Sequence, residues 1–248
     1  MVGLRAMMLA AAAAVAVAAP LRHASANIVL NDQDNFTIGD SGISVTVSGN
    51  TYSGYPISSQ TLQITNGGAP YTVNGWCIDF NNNINVPATY TDYMMVSFTS
   101  AGLNSVSQYL NSPDPANLAN GTAASQTKMN EINYLMDLGN TLLVSGLNTS
   151  TFNDIDSAIQ LAIWQVLYGS AMTVTGASGS VTGDVNSFIA DAVANDGTQW
   201  GGNALISTGG QQQLAYGTGT VPVPEPATLA LLAGGLAGLG MIRRRRAA

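Results

Sequence analysis

Apolar and polar residues alternate from Ile43 to Ser48, where Ile43, Val45 and Val47 interleave with Ser44, Thr46 and Ser48. A period of two predicts a strand with one buried face. Tyr52-Ser53-Gly54-Tyr55-Pro56 reads as the turn that breaks it. Thr61–Ile64 is a second strand, ended by the hairpin signal Asn66-Gly67-Gly68. Tyr71–Phe80 is a third, closed by the loop Asn81-Asn82-Asn83, and Tyr93–Phe98 is a fourth. The period then lengthens. Met129, Ile132, Leu135, Met136, Leu142 and Leu143 recur mostly at spacings of three and four, predicting a helix over Thr127–Val144. The clearest helix is Asp154–Tyr168, with Asp154 and Asp156 near its start, where carboxylates favour the dipole, and Gly169 just past its end. A third helix, Val185–Ala194, is entered through Gly183-Asp184. The segment Asn111–Asn120 is an exposed loop, and the chain returns to extended structure through GGQQQLAYGTG. The pattern predicts an α+β domain: a β-rich, barrel-like N-terminal part with about three helices from the middle of the chain packed on it.

The two ends follow a different logic. Arg5 precedes an apolar run from Ala6 to Pro20, and Ala24-Ser25-Ala26 supplies a small-x-small site, so residues 1–26 read as a secretory signal peptide cleaved after Ala26. A permanent N-terminal anchor is disfavoured because the run is short for a span. At the other end, Pro224-Glu225-Pro226 is followed by an apolar segment, Ala227–Ile242, and by Arg243–Arg246. The arginines resist translocation, and the segment is only a little short of a spanning helix. Motif, segment and arginine cluster in that order resemble the PEP-CTERM sorting signal, over residues 220–248. The resemblance implies a Gram-negative cell with an extracellular polysaccharide matrix. It also implies an exosortase that cuts near the PEP motif, after only transient residence of the C-terminal segment in the inner membrane. The destination is then the cell surface or extracellular matrix.

Residues 27–219 remain as one extracellular domain. They keep a single basic residue, Lys128, because the other bases lie in the two end segments, and the single histidine, His23, leaves with the signal peptide. Thirteen acids, the chain's fourteen less Glu225, face that one lysine. Nucleic-acid binding needs cations to displace counterions. Ser-His-Asp and Cys-His hydrolases need an imidazole base. Histidine- or multi-cysteine zinc sites cannot form. The domain is expected to be a binding or matrix protein rather than an enzyme, with no cofactor and no metal. Oxygen ligands suit calcium, and Asp32, Asp34 or the Asp154/Asp156 pair are the candidates, but no calcium-binding loop motif is present.

Two residues do not fit a bland reading. Cys77, in Gly75-Trp76-Cys77-Ile78-Asp79-Phe80, is the only cysteine. Gln160 lies in the middle of DIDSAIQLAIWQVLYG, on a face shared with Ile163, Trp164 and Leu167, whereas Gln165 points to the opposite, more polar side. A buried primary amide leaves costly unpaired groups unless something meets them. Condensation of the two side chains, with loss of ammonia, would remove both anomalies at once.

Trp76-Cys77 on a strand and Gln160-Leu161-Ala162-Ile163-Trp164 on a helix resemble the thioester domains of bacterial surface adhesins. The resemblance spans about residues 70–170. It implies an internal thioester between Cys77 and Gln160, which a surface or matrix nucleophile, an amine or a hydroxyl, attacks at the Gln160 carbonyl. This is a single-turnover acyl transfer that tethers the adhesin covalently. The sorting tail departs from the Gram-positive cell walls on which much of that family sits. Other readings stay open: Cys77 as a small buried hydrophobe or an intermolecular disulfide partner, Gln160 as a core amide paired to backbone, and the whole as a non-covalent, polysaccharide-associated matrix protein. Asp79 pairs with the loop Asn81–Asn83 or tunes the thioester.

Overall fold

The computed structural model describes residues 24–30, 42–47, 49–54, 57–79, 88–106, 123–143, 147–196 and 201–219. The expected signal peptide before Ala24, the tail 220–248, the loops Asn81–Asn83 and Asn111–Asn120, and Asp32 and Asp34 lie outside them. No helix among the described residues is long and apolar enough to cross a membrane.

Among the described residues there are nine strands, β1 (Ala24–Leu30), β2 (Ser44–Val47), β3 (Asn50–Ser53), β4 (Gln60–Thr65), β5 (Tyr71–Cys77), β6 (Ala88–Ser97), β7 (Met172–Thr175), β8 (Gly202–Ser207) and β9 (Leu214–Gly217). The helices are α1 (Ser100–Asn104), α2 (Ala123–Leu142), α3 (Thr149–Tyr168) and α4 (Gly179–Ala194). Six strands close a barrel in the order β1-β4-β5-β9-β8-β6, and β3-β2-β7 form a separate three-stranded sheet. All strand pairs are antiparallel. The α+β architecture matches the sequence pattern. The barrel, however, is not confined to the N-terminal part: β8 and β9, beyond the helices, complete it.

Local chemistry explains where boundaries moved. β2 and β3 form a hairpin around Gly49 (φ +87°), so Tyr52 and Ser53 belong to a strand paired with Val45 and Ser44 rather than to a turn. Gly67 (φ +67°) lies in the link between β4 and β5, as its hairpin signal predicted. α3 starts at Thr149 because the Asn148 carboxamide accepts the Thr151 N–H at 2.9 Å. Asp154 and Asp156 therefore sit in the second turn, beyond the reach of a first-turn dipole effect. α4 starts at Gly179 behind the Ser178 cap, so Gly183-Asp184 lie inside it rather than at its entrance. A glycine in a helix interior is unfavourable, which is why the pattern suggested a break there.

β1 crosses the expected cleavage point. Asn27–Leu30 carry all its pairing with β4, and Ile28, Val29 and Leu30 pair with β6 as well. Cleavage after Ala26 would therefore leave both seams of the barrel joined. The core lies between barrel and helices: Leu62, Ile64, Trp76, Met129, Ile132, Leu135 and Ile163 are fully buried. α3 buries eleven side chains and α4 only Val181 and Ala192, so α3 is the central helix and α4 an outer one.

Candidate functional site

The site forms where two barrel seams change partners. β5 is paired with β9 through Trp76↔Ala215 and Cys77↔Leu214, and Ile78 N–H donates to the Gln213 carbonyl at 3.0 Å. On its other side, β5 is paired with β4 only as far as Gln60↔Gly75. Past that point the main chain of Cys77 would face an empty ladder position, and an unmet buried N–H or carbonyl costs about 1–3 kcal/mol.

Helix α3 supplies the missing partner. Cys77 N–H donates to Gln160 Oε1 at 2.8 Å, and Gln160 Nε2 donates to the Cys77 carbonyl at 2.9 Å. The carboxamide thus pairs with Cys77 as a strand residue would. Trp164 Nε1 adds a second donor to the same carbonyl at 2.8 Å. The same helix holds the departing chain away: Asp156 Oδ1 accepts the Ser59 N–H at 3.0 Å, and Ser157 Oγ donates to the Ile57 carbonyl at 2.8 Å. Asp156, Gln160 and Trp164, at i, i+4 and i+8, lie along one face. Gln160 and Ser157 are 0% exposed and Cys77 6%.

The structure therefore brings the main chain of Cys77 and the side chain of Gln160 into direct contact. The sequence motif named Trp164 without a role; it is a hydrogen-bond donor to Cys77. Asp156 and Ser157, which also shape the site, were hidden because their periodicity reads as ordinary helix surface. Gln165, expected on the more polar side, is half-buried and donates to the Gly169 carbonyl at 2.9 Å.

Beyond Cys77 the β8–β9 connection wraps Asp79. Gln213 N–H donates to Asp79 Oδ2 at 2.9 Å, and Gln212 Nε2 donates to the Asp79 carbonyl at 3.3 Å. Tyr93 Oη donates to the Gln212 carbonyl at 2.6 Å. Gln213 Oε1 accepts the Ser207 N–H at 2.7 Å. In sequence the run Gln211-Gln212-Gln213 reads only as extended chain. Three amides between two short strands were the available signal, since such a connection must satisfy buried backbone. The Asp79 side chain turns to this connection; the loop Asn81–Asn83, its expected partner, lies outside the described residues.

Burial pushes the Cys77 thiol up from its ordinary value, and the Asp79 charge adds to the rise. The thiol is therefore protonated at neutral pH. Burial likewise raises the Tyr93 phenol, with further contributions from Asp92, Tyr90, Asp79 and Cys77, which places the three groups Cys77, Asp79 and Tyr93 in one electrostatic neighbourhood.

The calcium candidates are otherwise occupied or out of view. Asp154 Oδ2 accepts the Ser180 Oγ hydroxyl at 2.8 Å, and Asp156 is engaged at Ser59. Two residues apart on a helix, they point to different sides. Among the described residues no three His, Cys, Asp or Glu side chains lie together as a metal site.

Residues 222–246 match the PEP-CTERM protein-sorting motif. No curated protein matches the chain. Among solved structures, the N-terminal domain of the Streptococcus pyogenes pilus tip adhesin Cpa is similar, with a TM-score of 0.41 and 12% identity over 77% of this chain and 100% of that one. The sorting motif marks this chain as a protein processed by exosortase, exported across the inner membrane and sorted to the cell surface or extracellular space.

Proposed function

We propose that Cys77 and Gln160 condense to an internal thioester, and that the exported domain uses it once, in acyl transfer to an amine or hydroxyl on a surface or matrix partner. The observation that carries this reading is the two-point pairing of the Gln160 carboxamide with Cys77. In the condensation, Cys77 Sγ bonds to Gln160 Cδ, the Cδ–Nε2 bond breaks, and ammonia leaves with the thiol proton. Charge develops on Oε1, where the Cys77 N–H already points, so the donor is in place before the reaction. Transfer reverses the roles: the partner's nucleophile adds to Cδ, and Cys77 leaves with the nucleophile's proton. No turnover follows, so the protein is an adhesin-like reagent rather than an enzyme.

One further feature supports the reading. Competing internal amines are scarce, because Lys128 is the only lysine and its Nζ lies 3.5 Å from the Leu167 carbonyl.

The same hydrogen bonds favour a second reading, in which Gln160 simply caps the end of β5 and the protein is a non-covalent matrix component. Intact mass separates them. The purified domain is expected to be one ammonia lighter than its sequence, and methylamine is expected to add at Gln160. Cys77→Ala and Gln160→Ala should each restore full mass. A wild-type protein of full mass with an alkylatable Cys77 leaves only the capping reading.

A further inference from the structure

A buried carboxylate stands beside the proposed bond without a part in it. Asp79 is 5% exposed and two residues beyond Cys77. The Ile78 N–H bond to Gln213 carries the β5–β9 pairing one residue past the end of β5 at Cys77, and the Gln213 N–H then turns to the Asp79 side chain. Side chains two apart on extended chain share a face, about 7 Å between α-carbons. Trp76 takes the other face, with its indole against Gly139 of α2. Asp79 is also oriented: Gln213 N–H fixes Oδ2, and Gln212, itself tied to Tyr93, holds the backbone carbonyl. The titratable groups around it are Cys77 on β5 and Tyr93 on β6, the latter beside Asp92 and Tyr90. Among the described residues, α3 presents the Gln160 amide and the Trp164 indole N–H to Cys77, with the Asp156 carboxylate one turn earlier on the same face and engaged at Ser59, and the β8–β9 connection presents amides.

We propose that Asp79 is the proton acceptor that makes the Cys77 thiol nucleophilic toward Gln160, an inference that rests on the thioester reading above. The reaction needs such a group. The thiolate, not the thiol, attacks, and no histidine remains in the domain to take the proton. The Sγ proton passes to the Asp79 carboxylate as Sγ bonds to Cδ. The Cδ–Nε2 bond then breaks, the carboxylic acid returns the proton to the departing nitrogen, and ammonia leaves. Asp79 ends as it began, a carboxylate, and no oxidant or further reactant enters. In acyl transfer the same group takes the proton of the incoming amine and delivers it to Sγ.

Asp79→Asn is the informative variant, since its carboxamide oxygen still accepts the Gln213 N–H while losing the base. Protein refolded from denaturant with the side chains still uncondensed is followed by intact mass over time, with circular dichroism reporting the fold. The wild type is expected to lose one ammonia, at a rate that rises with pH to a plateau as one carboxyl group ionises. Folded Asp79→Asn should lose it at least tenfold more slowly, and Asp79→Glu should recover part of the rate. A folded Asp79→Asn that condenses as fast as wild type overturns the proposal. So does a wild-type rate that climbs about tenfold per pH unit through neutrality, the signature of hydroxide taking the proton; this profile needs no variant. A wild type that never loses ammonia brings down the thioester itself and this inference with it, a result distinct from a light wild type with an equally light Asp79→Asn.

Discussion

Helices α2 and α3 dock on the barrel in the same way and to different ends. On α2, Asn133 Nδ2 donates to the Phe98 carbonyl at 3.1 Å, Asp137 Oδ1 accepts the Gly219 N–H at 2.9 Å, and Asn140 Nδ2 donates to the Gly219 carbonyl at 3.2 Å. On α3, Asp156, Gln160 and Trp164 do the equivalent at Ser59 and Cys77. Each helix thus carries a row of polar side chains on one face that meets barrel backbone where the ladder stops. A buried amide paired to a strand end is therefore ordinary in this fold. The hydrogen bonds of Gln160 serve docking as those of α2 do, and they also hold the carboxamide at Cys77, whose thiol is what the α2 row lacks. The chemical claim stands on the coincidence of the two.

The largest expected effect breaks the comparison directly. Asn133→Ala on α2 leaves the Phe98 carbonyl without its donor, at about 1–3 kcal/mol. Gln160→Ala should cost about as much for the Cys77 N–H. If the side chains are joined, it should cost about 4.5 kcal/mol more, because the bond closes a loop across a separation of 83 residues. Denaturant titration of the wild type, both variants and methylamine-opened wild type reads the difference. Methylamine should weaken the wild type and leave Gln160→Ala unchanged. Equal losses in the two variants, with no effect of methylamine, would reduce α3 to a second α2.

A smaller effect tests where the helices meet the reactive strand. A Cβ on Gly139 of α2 would run into the Trp76 indole, one residue before Cys77. In an open helix position Gly→Ala gains about 1 kcal/mol. Here overpacking against a buried ring should outweigh that gain, for a net loss of about 1–2 kcal/mol. The sign decides: a Gly139→Ala variant with a raised melting temperature would remove Trp76 as the contact that fixes the Cys77 strand against α2.

How much of this was legible in the chain depended on whether the signal was local. Ile43, Val45 and Val47 alternate, and all three are buried. The apolar residues of α3 gave its type and its central place, and Gln160 stood out because it interrupts them. The Cys77–Gln160 meeting was legible only as a paired motif, for nothing local links a strand to a helix 83 residues on. What could not be read was set by non-local pairing. β8 and β9 close the barrel by pairing with β6 and β5, which their short segments do not announce. The start of α3 was missed because Asn148 acts by a cap bond, with Thr149, Ser150 and Thr151 carrying weak helix preference behind it. Asp79 reads in sequence as a residue of the third strand that pairs with the loop Asn81–Asn83 or tunes the thioester, and nothing local announces the Gln211–Gln213 connection that wraps it.

The smallest effect compares the charged Asp137 of the α2 row with the neutral Gln160 of the α3 row. Burial raises the Asp137 carboxyl above its ordinary 3.8, and the Gly219 N–H offsets only part of the rise. A folded-state value above the unfolded one means that the native protein binds more protons between the two values. Stability contributed by Asp137 is then present below 3.8 and declines as pH rises through the folded value. Asp137→Asn keeps an acceptor for the Gly219 N–H and removes the ionisation. The variant should match the wild type in acid and become the more stable toward neutrality, by on the order of 1 kcal/mol or less. Gln160, which does not titrate, offers no such lever on α3. Melting temperatures of the two proteins across that range should diverge as pH rises; parallel curves would mean that the α2 row tolerates its charge as readily as α3 tolerates its amide.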